Sequence, residues 1–452
     1  MDTVDTIAAI CTGAGGAISI IRISGEDALN IGNNVWKGSQ QLSLDNKRKM
    51  LFGKTQNPAG EGDTSLAVYM PGPNSFTGED VVEIHSHGGS LCAREILSTI
   101  INSGARLAQP GEFSYRAFIN GKMDLTQAEA IADVINAHSK MALHIAEKQV
   151  AGNLKDKISS FKNTIYEILA DIESRLDFAD VELEWDNNSE SIEKIQDVIF
   201  ELSKLLATKK EGAILREGVR VVIAGKPNVG KSSLLNRILG YERAIVTEIE
   251  GTTRDTLEEF VTIRNIPVNI IDTAGLRESV DFIEGIGIER SKQSLKLAQI
   301  VIWLFDITSS SLEDEIKYMN DHISEKENVI VLWNKLDAIE EEVKPPNIPF
   351  TSRLISVKED IGIENFLDDF EKMVWGFKHT EEPEYAVSER HAELITKTIE
   401  ALPNAINLLE TEDYELASVY LREAMNAIGS ITGETVEPDI LDNIFSKFCL
   451  GK

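Results

Sequence analysis

The 452-residue sequence has only three cysteines, Cys11, Cys92 and Cys449, and they form no Cys-x-x-Cys pair. An odd number of widely spaced cysteines supports neither a disulfide framework nor a zinc ribbon. The chain also lacks an apolar run approaching the ~20 residues of a membrane-spanning helix. Residues 1–5 lack the basic start of a signal peptide. We therefore expect a cytoplasmic protein with no membrane partner.

Basic charge is scarce as well, with 45 Lys and Arg against 74 Asp and Glu and a net charge of −29. This balance argues against a nonspecific nucleic-acid coat, because phosphate contacts need clustered Lys and Arg, but it leaves room for a local basic face. The length exceeds what one hydrophobic core serves, so roughly two to four domains are expected.

Hydrophobic periodicity divides the chain into four segments. Residues 1–118 combine short apolar strands, predicted over 17–23, 65–70 and 81–85, with Pro-Gly turns, which predicts a mixed α/β domain. Residues 119–217 are predicted to be helical, and a stripe of apolar side chains over 150–176 predicts one long helix. Residues 218–378 alternate buried strands with helical stretches, which is typical of a parallel sheet with helices on both faces. Residues 379–452 are helical again, so the central α/β unit is predicted to be inserted into one discontinuous helical domain.

A glycine-rich motif opens the central unit. Residues 225–232, Gly-Lys-Pro-Asn-Val-Gly-Lys-Ser, fit G-x-x-x-x-G-K-[ST] between a predicted strand and a predicted helix. The glycines allow backbone N–H groups to close around phosphates at a helix N-terminus. Lys231 then reaches the outer phosphates and Ser232 binds Mg²⁺.

Further motifs follow in the order that a Ras-like GTPase requires. Residues 272–275, Asp-Thr-Ala-Gly, suit Mg²⁺ and the γ-phosphate, and residues 251–255 provide a switch threonine. Residues 334–337 are Asn-Lys-Leu-Asp, and the Asp337 carboxylate accepts guanine N1–H and N2–H, which adenine does not offer. Residues 356–358 complete the base pocket, with Val357 where alanine is usual. The sequence therefore predicts a GTPase.

The residue that orients the attacking water is less evident. Leu276 stands where Ras-like proteins carry a glutamine. Glu284 lies at a plausible switch distance, although on spacing alone it is better explained as the start of a helix.

Motifs at both ends of the chain accompany this central unit. They are residues 5–8, 21–25, 73–80, 87–89, 110–114, 125–131 and the terminal Phe448-Cys449-Leu450-Gly451-Lys452. On these residues the chain resembles the MnmE (TrmE) family of tRNA-modification GTPases over essentially its full length. The resemblance implies an α/β folate-binding and dimerisation domain, a discontinuous helical domain and an inserted P-loop G domain.

The resemblance also implies a reaction. Family members form a heterotetramer with a flavoprotein, MnmG (GidA), that carries FAD and uses NADH. Together they place an aminomethyl or carboxymethylaminomethyl group on C5 of the wobble uridine, position 34, of certain tRNAs. The one-carbon unit comes from 5,10-methylene- or 5-formyl-tetrahydrofolate, and glycine or ammonium supplies the nitrogen.

Residue roles follow from the same resemblance. K⁺ is assigned to Asn228, Thr247, Ile249 and Thr252, and Mg²⁺ to Ser232 and Thr253; pairing of two G domains in a homodimer orders the K⁺ loop. Glu284 takes the water-orienting role. The predicted nucleotide-binding set is Asn228, Val229, Gly230, Lys231, Ser232, Ser233, Thr247, Glu248, Ile249, Glu250, Gly251, Thr252, Thr253, Asp272, Thr273, Ala274, Gly275, Asn334, Lys335, Leu336, Asp337, Ser356, Val357 and Lys358.

Folate binding is assigned by resemblance to Arg22, Glu83, Lys122 and Lys452. On sequence alone, three of them have a stronger alternative: Arg22 as a strand-edge surface residue, Glu83 on a solvated strand face, and Lys122 as a helix cap. Cys449 is predicted to act as nucleophile or acid near the folate, the alternative being a small buried side chain.

Three further points concern the histidines, the turn near the N-terminus and the alternative function. His85 and His87 are better explained as structural residues than as metal ligands. Residues 11–17 replace the family's Pro-Pro-Gly-rich turn and are about one residue shorter, which bears on the backbone near the folate or the dimer contact. The alternative function is an Era-like switch in ribosomal RNA assembly, which needs the G domain but neither the folate residues nor Cys449.

Overall fold

The computed structural model describes residues 5–13, 15–57, 60–177, 188–241, 259–271, 294–323, 328–340, 343–376, 384–436, 438–448 and 451. The chain forms two compact units. One comprises Met1–Ala132, Lys148–Phe200 and Leu394–Lys452, and the other comprises Asp133–Glu147 and Glu201–Glu393. Because the chain leaves the first unit and returns to it twice, both units are discontinuous in sequence.

The first unit begins with a seven-stranded sheet in the order β3-β4-β5-β6-β2-β1-β7, in which only the β1–β7 pair is parallel. Its elements are β1 (Ile7–Ile10), β2 (Ile18–Ser24), α1 (Ala28–Val35), β3 (Trp36–Gly38), β4 (Leu51–Asn57), β5 (Gly60–Met70), β6 (Val81–His87), α2 (Ser90–Asn102), β7 (Arg106–Leu107) and α3 (Glu112–Ile119).

Strand β2 shows why this sheet forms and how it presents polar groups. Ile21 and Ile23 are completely buried in the core that α1 and α2 cover. Successive side chains of a strand point to opposite faces, so Arg22 lies on the other face. There it is in register with Ala9 on β1 and with Glu83 on β6. The strands predicted over 17–23, 65–70 and 81–85 are confirmed.

Helices follow the sheet: α4 (Leu125–Ile135), α5 (Lys140–Val150), α6 (Asn153–Asp177) and α7 (Ser189–Ala207). The prediction of one helix over 150–176 was wrong at its start. Helix α5 ends at Val150, and Gly152 has a φ of +102°, a conformation that favours glycine and breaks the helix before α6. Leu176, at the end of the predicted stripe, is 39% exposed.

The second unit contains a six-stranded sheet in the order β13-β12-β11-β8-β10-β9. Its elements are α8 (Lys209–Glu217), β8 (Val219–Ala224), α9 (Lys231–Tyr241), β9 (Glu259–Ile263), β10 (Ile266–Ile270), β11 (Ile300–Asp306), α10 (Leu312–Ile323), β12 (Val329–Asn334), β13 (Thr351–Leu354) and α11 (Ile363–Trp375).

The sheet of the second unit is parallel except for β9, which pairs antiparallel with β10. The prediction of a parallel sheet is confirmed for the other five strands but did not include this antiparallel edge strand. Arg264 and Asn265 join β9 to β10 with φ values of 51° and 61°. Positive φ at both central residues is the geometry of a type I′ hairpin, but without glycine this turn leaves a weak sequence signal.

Segments outside the predicted G domain pack into the same core. Ala142, Ile145, Ile214 and Ala386 join the strands in one hydrophobic cluster. Arg216 ties these segments together, since its Nε donates to the Asp133 carboxylate at 2.8 Å and its Nη2 to the Ala386 carbonyl at 2.6 Å. Segments within residues 133–147, 201–217 and 384–393 therefore pack against the six-stranded sheet as part of the second unit.

Three helices complete the described chain: α12 (Glu389–Glu410), α13 (Tyr414–Thr432) and α14 (Pro438–Ser446). In the first unit, α13 packs along α6, and Phe445 of α14 packs against Tyr115 and Phe118 of α3. Within the described part of the chain, no helix combines the length and the apolar character needed to cross a membrane.

Candidate functional site

The loop between β8 and α9 is shaped by two glycines that no other residue can replace without strain. A Cβ at Gly225, whose φ is +140°, would lie 2.4 Å from the Leu304 carbonyl oxygen. A Cβ at Gly230, whose φ is +107°, would lie 2.3 Å from the Asn334 amide nitrogen. Asn228 also has a positive φ, of 64°. Alternating backbone conformations of this kind turn successive N–H groups inward, so the loop is suited to a phosphate anion.

Lys231 is the first residue of α9 and lies across this loop. Its Nζ donates to the carbonyl oxygens of Gly225 and Lys226, both at 2.8 Å. Burial of the ammonium lowers the pKa of Lys231. Ser232 and Ser233 follow in the first turn of α9 and are exposed. The predicted phosphate-binding residues are thus brought together at the start of one helix.

Asn334, at the end of β12, joins the phosphate loop to the loop after β13. The buried amide Nδ2 donates to the Val229 carbonyl at 2.8 Å, and Oδ1 accepts the Val357 N–H at 3.1 Å. The Val357 contact uses the backbone alone. Valine in place of alanine therefore preserves this link between the two loops.

Asp337 lies in the short 3₁₀ turn after β12. Its Oδ1 accepts the Ser356 hydroxyl at 2.6 Å, and Lys358 Nζ is 3.7 Å from Oδ2. The hydrogen bond from Ser356 holds the pKa of the Asp337 carboxyl below its usual range. The carboxylate is therefore charged at neutral pH and able to accept a pair of N–H groups, as a guanine edge presents.

Many predicted site residues lie outside the described residues, and no contact is assigned to them. They are Thr247, Glu248, Ile249, Glu250, Gly251, Thr252, Thr253, Asp272, Thr273, Ala274, Gly275, Glu284, Cys449 and Lys452. Among the residues that the structure does describe, no cluster of three or more His, Cys, Asp or Glu side chains is placed to hold a metal ion.

A second group of predicted residues lies on the sheet of the first unit. Arg22 Nε donates to Glu83 Oε1 at 2.8 Å, and its guanidinium carbon lies 5.1 Å and 5.5 Å from the ring centres of Phe76 and Phe113. The hydrogen bond with His85, together with the charge of Arg22, holds the pKa of Glu83 below its usual range. Arg22 is therefore a half-buried cation between two aromatic rings.

Five charged residues that the sequence reasoning gave no role form a network beside this pair. Arg116 Nη2 donates to Asp5 at 2.6 Å and to Glu112 at 3.1 Å, and its Nη1 lies 3.3 Å from both oxygens of Glu79. Arg106 bonds the carboxylates of Asp5 and Glu112 at 2.6 and 2.7 Å. The side chains of Arg116 and Glu112 are completely buried. This network fixes α3 and the loop before β6, the two segments that supply the rings around Arg22.

Lys122 is exposed, but its stem lies against the same loop. A Cβ at Gly78 would be 3.3 Å from Lys122 Cγ. The structure thus links Lys122 to the loop that carries Phe76, and through it to Arg22.

The described end of the chain returns to β1. Gly451 has a φ of +93°, and a Cβ there would lie 2.4 Å from the Ile10 carbonyl oxygen and 3.0 Å from Cys11 Cα. Ile10 follows Ala9, the register partner of Arg22. Gly451 therefore lies in close backbone contact with the strand next to Arg22.

The two histidines of β6 have acidic partners. His85 Nε2 lies 3.4 Å from Glu83 Oε2, and His87 Nδ1 lies 2.8 Å from Asp63 Oδ1. Their arrangement as hydrogen-bonded side chains supports the structural interpretation.

Comparison with known proteins gives consistent matches. A sequence profile described as the MnmE helical domain matches residues 125–449, and one described as the N-terminus of the GTP-binding protein TrmE matches residues 6–122. A tRNA modification GTPase MnmE of Clostridioides difficile is 41% identical over 457 residues, covering 99% of each chain. The protein of the same name from Natranaerobius thermophilus is 39% identical over 460 residues, covering 100% of each chain.

The solved structures that match are more distant. The G domain of the T. maritima FeoB iron transporter is 20% identical with a TM-score of 0.26, covering 36% of this chain and 99% of that one. An Era variant from Aquifex aeolicus bound to GDP·AlF4⁻ is 24% identical with a TM-score of 0.27, covering 40% of this chain and 66% of that one.

Proposed function

Because the chain belongs to the MnmE family of tRNA modification GTPases, we propose that it hydrolyses GTP to drive modification at C5 of the wobble uridine, position 34, of certain tRNAs. The observation that carries this proposal is the Asn334 side chain, which joins a phosphate-binding loop and a base-binding loop. A guanine nucleotide needs both loops at once. The product is a carboxymethylaminomethyl or aminomethyl group.

In the nucleotide site, each residue has a part that its chemistry supports. Lys231 binds the outer phosphates, and Asp337 reads the guanine edge. Ser232 with Thr253 holds Mg²⁺, and Asn228 with Thr247, Ile249 and Thr252 holds K⁺. When bound, these cations offset the charge that develops beside the β–γ bridge. Glu284 orients the attacking water.

In the first unit, we place a tetrahydrofolate derivative, either 5,10-methylene- or 5-formyl-, at Arg22, Glu83, Lys122 and Lys452. Two features support a flat, polar ligand there: an ionised carboxylate with N–H acceptor capacity on Glu83, and the rings of Phe76 and Phe113 around Arg22. The folate supplies the one-carbon unit. Glu83 accepts ligand N–H groups, and the cations hold its polar parts.

The tail is proposed to act at the same place. Cys449 is two residues before Gly451, which contacts β1 beside the partner of Arg22. A thiol near the folate would serve as nucleophile or acid. Only glycine suits the position of Gly451, so this residue anchors the tail.

The remaining parts of the proposal concern partners. The chain acts in the cytoplasm as a homodimer and joins an MnmG-like flavoprotein, carrying FAD and using NADH, in a heterotetramer. Glycine or ammonium supplies the nitrogen.

The test is nucleoside mass spectrometry of tRNA from cells that lack the native gene, with the companion flavoprotein present. Restoring the wild-type chain is expected to restore the C5-substituted uridine, whereas Cys449→Ser and Gly451→Ala are expected to lose it and keep K⁺-stimulated GTP hydrolysis. Cys92→Ser is the matched control, because Cys92 is a half-buried cysteine on α2.

Two outcomes would contradict parts of this proposal. Full modification by Cys449→Ser would remove the tail from the chemistry. Unchanged nucleosides after restoring the wild-type chain, with GTP hydrolysis intact, would remove the tRNA role and favour an Era-like switch in RNA assembly.

A further inference from the structure

Residues 306–315, here named the support loop, run from the last residue of β11 through the connecting turn into the first turn of α10. The support loop contains two carboxylates that contact lysines of the nucleotide site. At its start, Asp306 Oδ2 lies 2.5 Å from Nζ of Lys335. Lys335 has a φ of 69° and is the second residue of the base-binding Asn-Lys-Leu-Asp sequence. The ion pair therefore fixes the long side chain that follows the base-binding strand.

The other end of the support loop reaches the phosphate-binding loop. Glu315 Oε1 lies 3.2 Å from Nζ of Lys226, and the Glu315 side chain is only 4% exposed. Two hydroxyls of the support loop, on Ser309 and Ser311, donate to the same oxygen at 2.6 and 2.9 Å. A buried carboxylate with three such partners is held rigidly, because charge-assisted hydrogen bonds are short and strong.

The contact of Lys226 matters because of its backbone. The Lys226 carbonyl accepts a hydrogen bond from Nζ of Lys231, the lysine assigned to the outer phosphates. Holding the Lys226 side chain to Glu315 therefore restrains the carbonyl that positions Lys231.

Burial and hydrogen bonding act against each other on both carboxylates. Burial raises the pKa of Asp306, but the bonds from Lys335 and Thr308 outweigh it and leave the pKa lower than usual. Burial likewise raises the pKa of Glu315, and the bonds from Ser309, Ser311 and Lys226 lower it further than burial raises it. Both carboxylates are therefore charged at neutral pH.

We propose that Asp306 and Glu315 are positioning residues for guanine nucleotide binding, with Asp306 acting on the base side through Lys335 and Glu315 acting on the phosphate side through Lys226 and Lys231. The inference rests on the guanine-nucleotide binding proposed above. It predicts that substitutions at the two ends of the support loop reduce nucleotide affinity in two different patterns. A loop that only stabilised the fold would not produce such a difference.

The experiment measures displacement of a fluorescent GDP analogue from the full chain by GMP, GDP and GTP. Asp306→Asn is expected to weaken all three nucleotides by the same factor of about ten, because they share one base and one charge-assisted contact is lost. Glu315→Gln is expected to weaken GDP and GTP by about tenfold and to leave GMP unchanged, because the phosphate loop encloses the β-phosphate.

The matched control is Asp369→Asn. Asp369 accepts Arg353 Nε at 2.5 Å in the same unit, an ion pair as short as that of Asp306, and neither residue belongs to the nucleotide motifs. This variant is expected to bind all three nucleotides as the wild type does.

Three results would overturn the inference. They are unchanged affinities in both support-loop variants, equal losses for all nucleotides in both variants, and losses of the same size in Asp369→Asn. A wild-type chain that does not bind the fluorescent analogue would overturn the proposed function as well, which separates the two failures.

Discussion

The two sheets of this chain hold their charged residues in opposite ways. In the first unit, Arg116 and Glu112 are completely buried and bond to Asp5, Glu79 and Arg106. In the second unit, Lys335, Asp337 and Lys358 lie in loops that follow strands, where they are at least partly exposed to solvent. A buried network builds a frame, whereas a loop at a strand end presents its groups to a ligand.

The difference shows that a recognisable sequence motif can either present groups to a ligand or hold the surrounding structure in place. Residues 225–232 and 334–337 are motifs that the proposed function assigns to the nucleotide, and Asn334 of the second donates to the Val229 carbonyl of the first. Residues 73–80 and 110–114 are equally recognisable, but Glu79 and Glu112 within them are committed to Arg116. In the first unit, therefore, these two motifs support the candidate site, whereas Arg22, within the motif 21–25, and Glu83 on the neighbouring strand form it.

The largest effect is expected when the buried charge network of the first unit is broken. Arg116→Met removes the cation that Asp5, Glu79 and Glu112 share. Removing one partner of a buried ion pair leaves charge uncompensated and costs about 3–5 kcal/mol. We expect the free energy of unfolding of the first unit to fall by that amount, and hydrogen exchange of β1 and α3 amides reports it separately from the second unit.

The control for this change is an exposed ion pair in the second unit. Arg353 pairs with Asp369, and its side chain is 45% exposed. Arg353→Met is expected to cost at most about 1 kcal/mol, because solvent screens exposed pairs. Equal losses in the two variants would show that the buried network is no more stabilising than a surface pair.

The sequence predicted most of the second unit because its signals are local. Strands β11 and β12 are apolar up to their last residue, and β8 is interrupted only by the exposed Arg220. The phosphate loop lies within eight successive residues, 225–232. The edge strand β9 was missed, because its turn reaches positive φ through Arg264 and Asn265 without glycine. A turn with positive φ that contains no glycine has no residue pattern by which the sequence could identify it.

The network in the first unit could not be predicted for a different reason. Asp5 meets Arg106 and Arg116 across 101 and 111 positions of sequence. Neither periodicity nor a short motif records contacts at such a separation, which here depend on the pairing of β1 with β7. Arg22 and Glu83, 61 residues apart, were each identified by resemblance, and their ion pair with each other became visible only in the fold.

A smaller effect tests the loop-type site. Gly230→Ala forces a Cβ to within 2.3 Å of the Asn334 amide at a φ of +107°. Such backbone strain costs about 1–3 kcal/mol. We expect GDP affinity to fall by about tenfold or more, measured by titration with a fluorescent analogue, while hydrogen exchange in the first unit stays unchanged.

A second glycine, in the helix that follows the phosphate loop, provides the control. Gly240 lies in α9, and a Cβ added there would meet no atom within 4 Å, so alanine fits at this position. Gly240→Ala is expected to stabilise the helix by about 0.5–1 kcal/mol and to keep nucleotide affinity. Loss of affinity in both variants would mean that α9 tolerates no change, and the argument from the Gly230 contact would fail.

The smallest expected effect is a pH dependence of stability that is confined to the buried charge network of the first unit. The hydrogen bond from Arg106, followed by that from Arg116, lowers the pKa of Asp5 from the usual 3.8 to about 2. A folded-state pKa below the unfolded value stabilises the fold above pH 3.8, and this contribution is lost as the pH falls from 3.8 towards about 2. Asp5→Asn removes the titrating group, so the difference in first-unit stability between wild type and variant should be constant near neutral pH and shrink across that window. Hydrogen exchange of β1 at a series of pH values measures it.

The control is Asp337→Asn, which changes a carboxylate in an exposed loop of the second unit. It should leave the pH dependence of first-unit stability unchanged. If both variants changed this pH dependence equally, the distinction between the buried network and the exposed loops would be lost.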